Sequence, residues 1–317
     1  FILIAIGALI YSTHDLLKSL LEIFPKEIEH PIIFTICYSI SKCLFFIFFP
    51  IYHIINKRKK ADNNTSMIEN NILYKRRFQK VTKIEKFLWI LLATAIDFSD
   101  VILFTIFCIN IHYLYDLNTW IFDILSLTLS SLFILKIKLY KHHFFSIIII
   151  IVLSLLDMTS DILTNKLSIL KTPMNLLHHI LYNLVYVLYK HLMLVKFFKY
   201  YEILSYIGII ELFLGIIALI ITTKTGNIDN FYDFIDNVDG IKIIYLIFFI
   251  VIQFIYYFIM ILVIDIYSPF HTFILNLFSE LVETVLMVII NNQEMEIYQY
   301  IINIIFIFIS VLAILIY

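Results

Sequence analysis

Apolar residues in this chain run together in blocks of roughly 20, the length that crosses about 30 Å of hydrocarbon at about 1.5 Å per residue. Such blocks lie near 1–23, 31–55, 87–111, 119–135, 143–163, 174–195, 203–222, 241–264, 268–290 and 298–317. The connections are short except for Asn56–Lys86 and Thr223–Gly240. The first of these, beginning NKRKKADNNTSMIENN, is polar, rich in Asn and without periodicity, which predicts a solvated loop. The pattern predicts an all-α polytopic membrane protein with ten transmembrane helices.

Composition agrees. Hydrophobic residues make up 62% of the chain and charged residues 15%, against about half and a quarter in a soluble domain. Ten of the 23 Lys and Arg lie in Asn56–Lys86, and alternation places Lys136, Lys138, Lys141, Lys196 and Lys199 on the same side. Only Lys26, Lys166, Lys171, Lys224 and Lys242 fall opposite. By the positive-inside rule the richer side, with both termini, faces the cytoplasm. The net charge of −1 offers nothing to a nucleic acid, so the bilayer is the first partner expected. Asp229, Asp233, Asp236 and Asp239 in the second long loop read as one acidic, solvated helix face at the interface, with a cation site as the competing reading. Cys37, Cys43 and Cys108 sit in apolar spans without the spacing of a disulfide framework or zinc site. Phe1 opens inside an apolar run with no initiating Met, so residues are expected before it.

A charge near a span centre costs about 2.5–3.5 kcal/mol on insertion, which marks the retained ones as candidate functional residues. They are Lys18 and Lys42, Asp97 and Asp100, Asp123, Glu211, and the pair Glu280 and Glu283. The two lysines, scarcer than the acids, are the natural ligands for a phosphate or carboxylate, with Asp97 or Glu280 as proton-coupling or counter-ion group. The competing reading is that lysines and acids only neutralise one another in packing. Lys42, Glu211 and Glu280 lie closest to their span centres and are expected to face the bundle interior.

An enzyme is not expected. The paired histidines His142–His143 and His178–His179 point to different faces of their helices, unlike the one-turn spacing of a di-iron site. No Gly-rich phosphate loop and no TVGYG-like filter occurs, which speaks against ATP-driven transport and channel function. No catalytic residue, metal or cofactor is assigned.

Two hairpins repeat. Tyr267–Tyr317 is two spans about a short acidic turn, and Asn118–Met158 is two spans about LKIKLYKHH. Repeats of this kind mark transporter folds, and the pattern resembles the closing hairpins of the drug/metabolite transporter superfamily. Three further stretches are similar to nucleotide-sugar transporters of solute-carrier family thirty-five, nearest its F-type group. They are EHPIIFTICYSISKCLFFIFFPIY from Glu29, ATAIDFSDVILFTIFCINI from Ala93, and YEILSYIGIIELFLGIIALIITTKTGNIDNFYDFI from Tyr201, the last with Gly208, Glu211 and Gly215 as G-x-x-E-x-x-x-G. With only five glycines in the chain, close helix contacts must lean on Ser, Ala and Thr. The resemblance implies two inverted five-helix halves, 1–163 with its cytoplasmic loop 56–86, and 174–317. It further implies alternating-access transport of a small organic, anionic solute such as a nucleotide sugar across a Golgi, ER or other endomembrane, and is compatible with a homodimer. The alternative is a non-transporting membrane scaffold that retains the fold.

Overall fold

The structure, a computed structural model, describes residues 31–52, 54, 82–110, 120–137, 141, 144–145, 147–149, 151–152, 171–225 and 240–273. Among the described residues every regular element is helical. Helix α1 spans Pro31–Cys43 and runs on through a tighter 3₁₀ turn at Leu44–Ile47. Helix α2 is Lys83–Asn110, α3 Trp120–Ser130 with a π-helical end at Ser131–Leu135, α4 Lys171–Leu194, α5 Tyr200–Thr225 and α6 Gly240–Ile266. Three described stretches, Ile32–Tyr52, Tyr200–Ile221 and Leu246–Ile266, combine 21 or 22 residues with enough apolar character to cross a bilayer. These features make the chain a membrane protein whose described part is all-helical. Helices α2 and α4, at 28 and 24 residues, are also longer than the roughly 20 a span needs. Between them they bury Thr94, Asp97, Asp100, Asn183, Lys190 and His191.

Buried charges and hydroxyls share the interior with an apolar core, while the outer faces are apolar, unlike those of a soluble bundle. On α2, Leu88, Leu91 and Leu92 are exposed while Thr94, Asp97 and Asp100 are buried. On α5, Ile209, Phe213, Ile216, Ile217 and Ile220 form an exposed apolar stripe at helical spacing, with Ser205 and Glu211 buried on the other face. Lipid accepts such an apolar exterior, and the interior is then the one place for a charge.

Contacts fix the helix directions. Phe34 and Phe48 of α1 meet Phe249 and Phe258 of α6, so these two run parallel. Phe49 meets Tyr201 while Ile36 meets Gly215, so α1 and α5 run antiparallel. Trp89 meets His191 and Asp100 meets His178, which sets α2 against α4. Asp123 pairs with His179, and the π-helical end of α3 also packs against α4. One end of the bundle thereby gathers Lys86 over the Phe198 ring at 4.9 Å, Lys196 against Glu85 and Trp89, and Lys199 over the Tyr52 ring at 3.2 Å.

Several helix ends run past the hydropathy boundaries. Thr82 accepts the Glu85 amide at 3.2 Å as an N-cap, so Lys83–Lys86, expected in the loop 56–86, are the first turn of α2. Likewise α5 begins at Tyr200 and continues to Thr225. Polar end turns extend past the apolar core of a span, and hydropathy cannot see them. The first and tenth spans, most of the fifth and ninth, and the acidic loop lie outside the described residues.

The backbones of α5 and α1 approach closely where the two helices cross. A Cβ built on Gly208 would stand 2.7 Å from the Cys43 amide nitrogen and 2.8 Å from the Lys42 Cβ, so only glycine fits. Around it, Thr35, Ser39, Ser41, Thr94 and Ser205 are buried small residues. Several of their hydroxyls fold back onto their own helix: Ser39 onto the Thr35 carbonyl at 2.9 Å, Thr94 onto Ile90 at 2.8 Å. Small side chains that satisfy their own hydroxyls let backbones approach without stranding a polar atom in hydrocarbon. Gly208→Val is therefore expected to lower the thermal midpoint of the detergent-solubilised protein by an overpacking cost of about 1–3 kcal/mol. Gly240→Ala, where nothing lies within 4 Å, should leave it unchanged. Equal midpoints for the two variants would refute the close approach.

Candidate functional site

That crossing places Lys42 at its centre. Residue 42 has ten residues of Ile32–Tyr52 on either side, and Glu211 stands eleven from Tyr200 and ten from Ile221. Both therefore sit near the middle of their spans, about 15 Å from either end. Gly208 brings the backbones together, and Glu211, one turn further on the same face of α5, meets the ammonium. Lys42 Nζ lies 2.9 Å from Glu211 Oε2, 3.1 Å from Glu211 Oε1 and 2.9 Å from Asp97 Oδ2. The Lys42 side chain is wholly buried, and those of Glu211 and Asp97 are 2% and 8% exposed.

Two tyrosines complete the shell. Tyr189 of α4 donates its hydroxyl to Asp97 Oδ2. The ring of Tyr257 on α6 lies under the ammonium, 5.1 Å from Nζ to the centroid, a cation–π contact in a dry setting. Five helices' worth of sequence is thus drawn to one cation: α1 supplies it, α2 and α5 its counter-ions, α4 and α6 its tyrosines. The charge count is uneven, one ammonium against two carboxylates.

A second polar layer lies beside the first along α2. Asp100, one turn from Asp97, takes no part in the triad and pairs instead with His178 Nδ1 at 2.8 Å. Asp123 of α3 pairs with His179 Nδ1 at 2.7 Å and accepts the Asn183 amide at 2.6 Å. The adjacent histidines serve different neighbours, α2 and α3, as their places on the helix require. Next to them the hydroxyl of Tyr256 on α6 lies 3.1 Å from those of both Tyr182 and Tyr186. Toward the basic end, Lys190 Nζ donates to the Ile264 and Asp265 carbonyls at 2.7 and 2.8 Å, capping the last turn of α6.

Of the residues singled out by sequence, Lys42, Asp97 and Glu211 converge, Asp100 lies one turn away, and Lys18, Glu280 and Glu283 lie outside the described residues. The tyrosines, Asn183 and Lys190 were not foreseen. Their signal was present: His178, Tyr182, Tyr186, Tyr189 and Lys190 recur at three- and four-residue spacing, a polar stripe down an otherwise apolar helix. No protein-family model and no curated protein matches the chain.

Removing one member of a buried ion pair strands the others, at about 3–5 kcal/mol, while removing the whole set costs far less. Lys42→Met is accordingly expected to destabilise the protein by that amount. The triple change Lys42→Met, Asp97→Asn and Glu211→Gln should recover much of it in thermal unfolding. Costs that simply add across the three would show that the groups are not coupled.

Proposed function

We propose that this chain is a secondary carrier that moves a small organic anion across an internal membrane together with a proton. The observation that carries the reading is the buried, midplane Lys42 held by two carboxylates. With both acids ionised the cluster bears one negative charge in excess, and protonation of Asp97 or Glu211 makes it neutral. The same protonation frees one side of the ammonium. An anionic group of the solute then takes the vacated place, so each solute enters together with one proton that offsets one of its negative charges. Release of either one weakens the hold on the other, which is the reciprocity that coupling requires.

The architecture proposed is ten helices in two inverted halves, 1–163 and 174–317, with both termini cytoplasmic, similar to the drug/metabolite transporter superfamily and to the F-type group of solute-carrier family thirty-five. Supporting it, α1 and α5, the second spans of the two halves, run antiparallel and meet at the charged centre, as counterparts in an inverted repeat do. The 3₁₀ turn that follows Lys42 gives α1 a place to bend where such halves would rock. A second reading, a scaffold that retains the fold without transport, is favoured by the completeness of the triad, since Asp97 and Glu211 already satisfy the ammonium.

Reconstitution decides between them. Liposomes carrying the wild-type protein are expected to accumulate UDP-glucose, glucose 6-phosphate or glutamate when an inward proton gradient is imposed. A lost charge-assisted hydrogen bond of about 1.5–3 kcal/mol corresponds to about 10- to 100-fold, so Lys42→Ala should reduce uptake by at least the lower figure. Asp97→Asn should retain solute exchange and lose its response to the gradient. No uptake by inserted wild-type protein would favour the scaffold, and unaltered uptake by Lys42→Ala would remove Lys42 from the mechanism.

A further inference from the structure

Gln253 stands in the middle of α6 with 1% of its surface exposed, and neither its amide nitrogen nor its amide oxygen has a hydrogen-bond partner. A primary amide offers two donors and an acceptor, and leaving such a group unmade in a dry interior costs about 1–3 kcal/mol. Native structures contain few of these, and one that persists calls for a reason. An isosteric Leu or Met would fill the space without the penalty.

Its place supplies the reason. Gln253 lies one turn before Tyr257, whose ring holds Lys42, and before Tyr256, whose hydroxyl joins those of Tyr182 and Tyr186. One turn earlier on the same face, Phe249 packs edge-on against Phe34 and Tyr38 of α1 at 5.6 and 5.4 Å, in an apolar cluster with Ile33 and Cys37. The amide is therefore bracketed by an apolar wall on one side and, on the other, by the cation and the tyrosine hydroxyls. Along the helix axis it is only about 6 Å from Tyr257, four residues at about 1.5 Å each. The other orphaned polar side chains among the described residues, Thr128, Ser131 and His191, lie on α3 and near the end of α4.

We propose that Gln253 recognises the uncharged hydroxyl or amide portion of the solute whose anionic end takes Lys42. This rests on the carrier reading and narrows its substrate to a hydroxylated or amidated organic anion, such as a sugar phosphate. A simple inorganic anion would satisfy the lysine and leave the amide unpaired. A site built to hydrogen-bond a hydroxyl discriminates strongly against ligands that lack one, because its own buried groups then stay unmet.

The test is thermal unfolding of the purified full chain in detergent with inorganic phosphate or with glucose 6-phosphate. For wild type, glucose 6-phosphate is expected to raise the midpoint more than phosphate at equal concentration. Gln253→Leu, which removes an unmet polar group, should leave the ligand-free midpoint equal or higher. It should also abolish the difference between the two ligands while keeping the phosphate response. Gln253→Asn, which retains the amide on a shorter stem, should restore part of the difference.

A Gln253→Leu protein that still prefers glucose 6-phosphate would overturn the proposal, as would a large drop in its ligand-free midpoint, the mark of a structural amide. Failure of the underlying reading looks different. A wild type stabilised by glucose 6-phosphate in a Gln253-dependent way but indifferent to phosphate would leave Gln253 standing and remove the anion from Lys42. A wild type indifferent to both would remove both.

Discussion

A lysine ammonium at the middle of a membrane span has nowhere to go. Lys42 lies about 15 Å from either end of its helix, too far for its four-carbon stem to carry the charge fully to water. Its insertion cost must be met inside the protein, and two carboxylates and an aromatic face meet it. Each of those groups binds a further helix to the same point. The arrangement of α1, α2, α4, α5 and α6 about one another follows from the need to enclose this cation.

The enclosure in turn sets the packing. Glu211 reaches Lys42 only because α5 has no side chain at residue 208, where even a methyl would collide with the α1 backbone. Asp97 is held by the Tyr189 hydroxyl as well as by the lysine, so α4 is tied to α2 through a group that α1 also uses. The outward faces of the same helices are Leu, Ile and Phe, which lipid solvates without cost. Specific contacts, polar and aromatic, therefore concentrate between the helices. A buried ion-pair set of this kind adds little net stability compared with a hydrocarbon core. Its retention is better understood as chemistry, because an uneven set of one cation and two anions can change its proton content.

Much of this was legible in the sequence. Charges stand out against apolar runs, so Lys42, Asp97 and Glu211 could be named before any helix was placed, and the positions of the described helices follow the hydropathy. What could not be read was partnership. Lys42 and Glu211 are 169 residues apart, and nothing in either span says which of the other buried acids the lysine takes. Asp100, an equally good candidate by sequence, belongs to His178 because it faces α4 one turn further along α2. Gln253 was missed for a different reason: a glutamine in a membrane helix is common, and only burial without a partner separates it from the rest. Helix ends were underestimated wherever a cap or a polar turn continued beyond the apolar core, as at Thr82.

The most direct measure of the central claim, that solute displaces a carboxylate from Lys42 as that carboxylate takes up a proton, is proton uptake on binding. Purified protein in weakly buffered detergent solution is mixed with glucose 6-phosphate while the pH of the medium is followed. The account predicts uptake of about one proton per solute bound above that of the free ligand, and none in the Asp97→Asn, Glu211→Gln double variant. Saturating binding with no change in bound protons would contradict it.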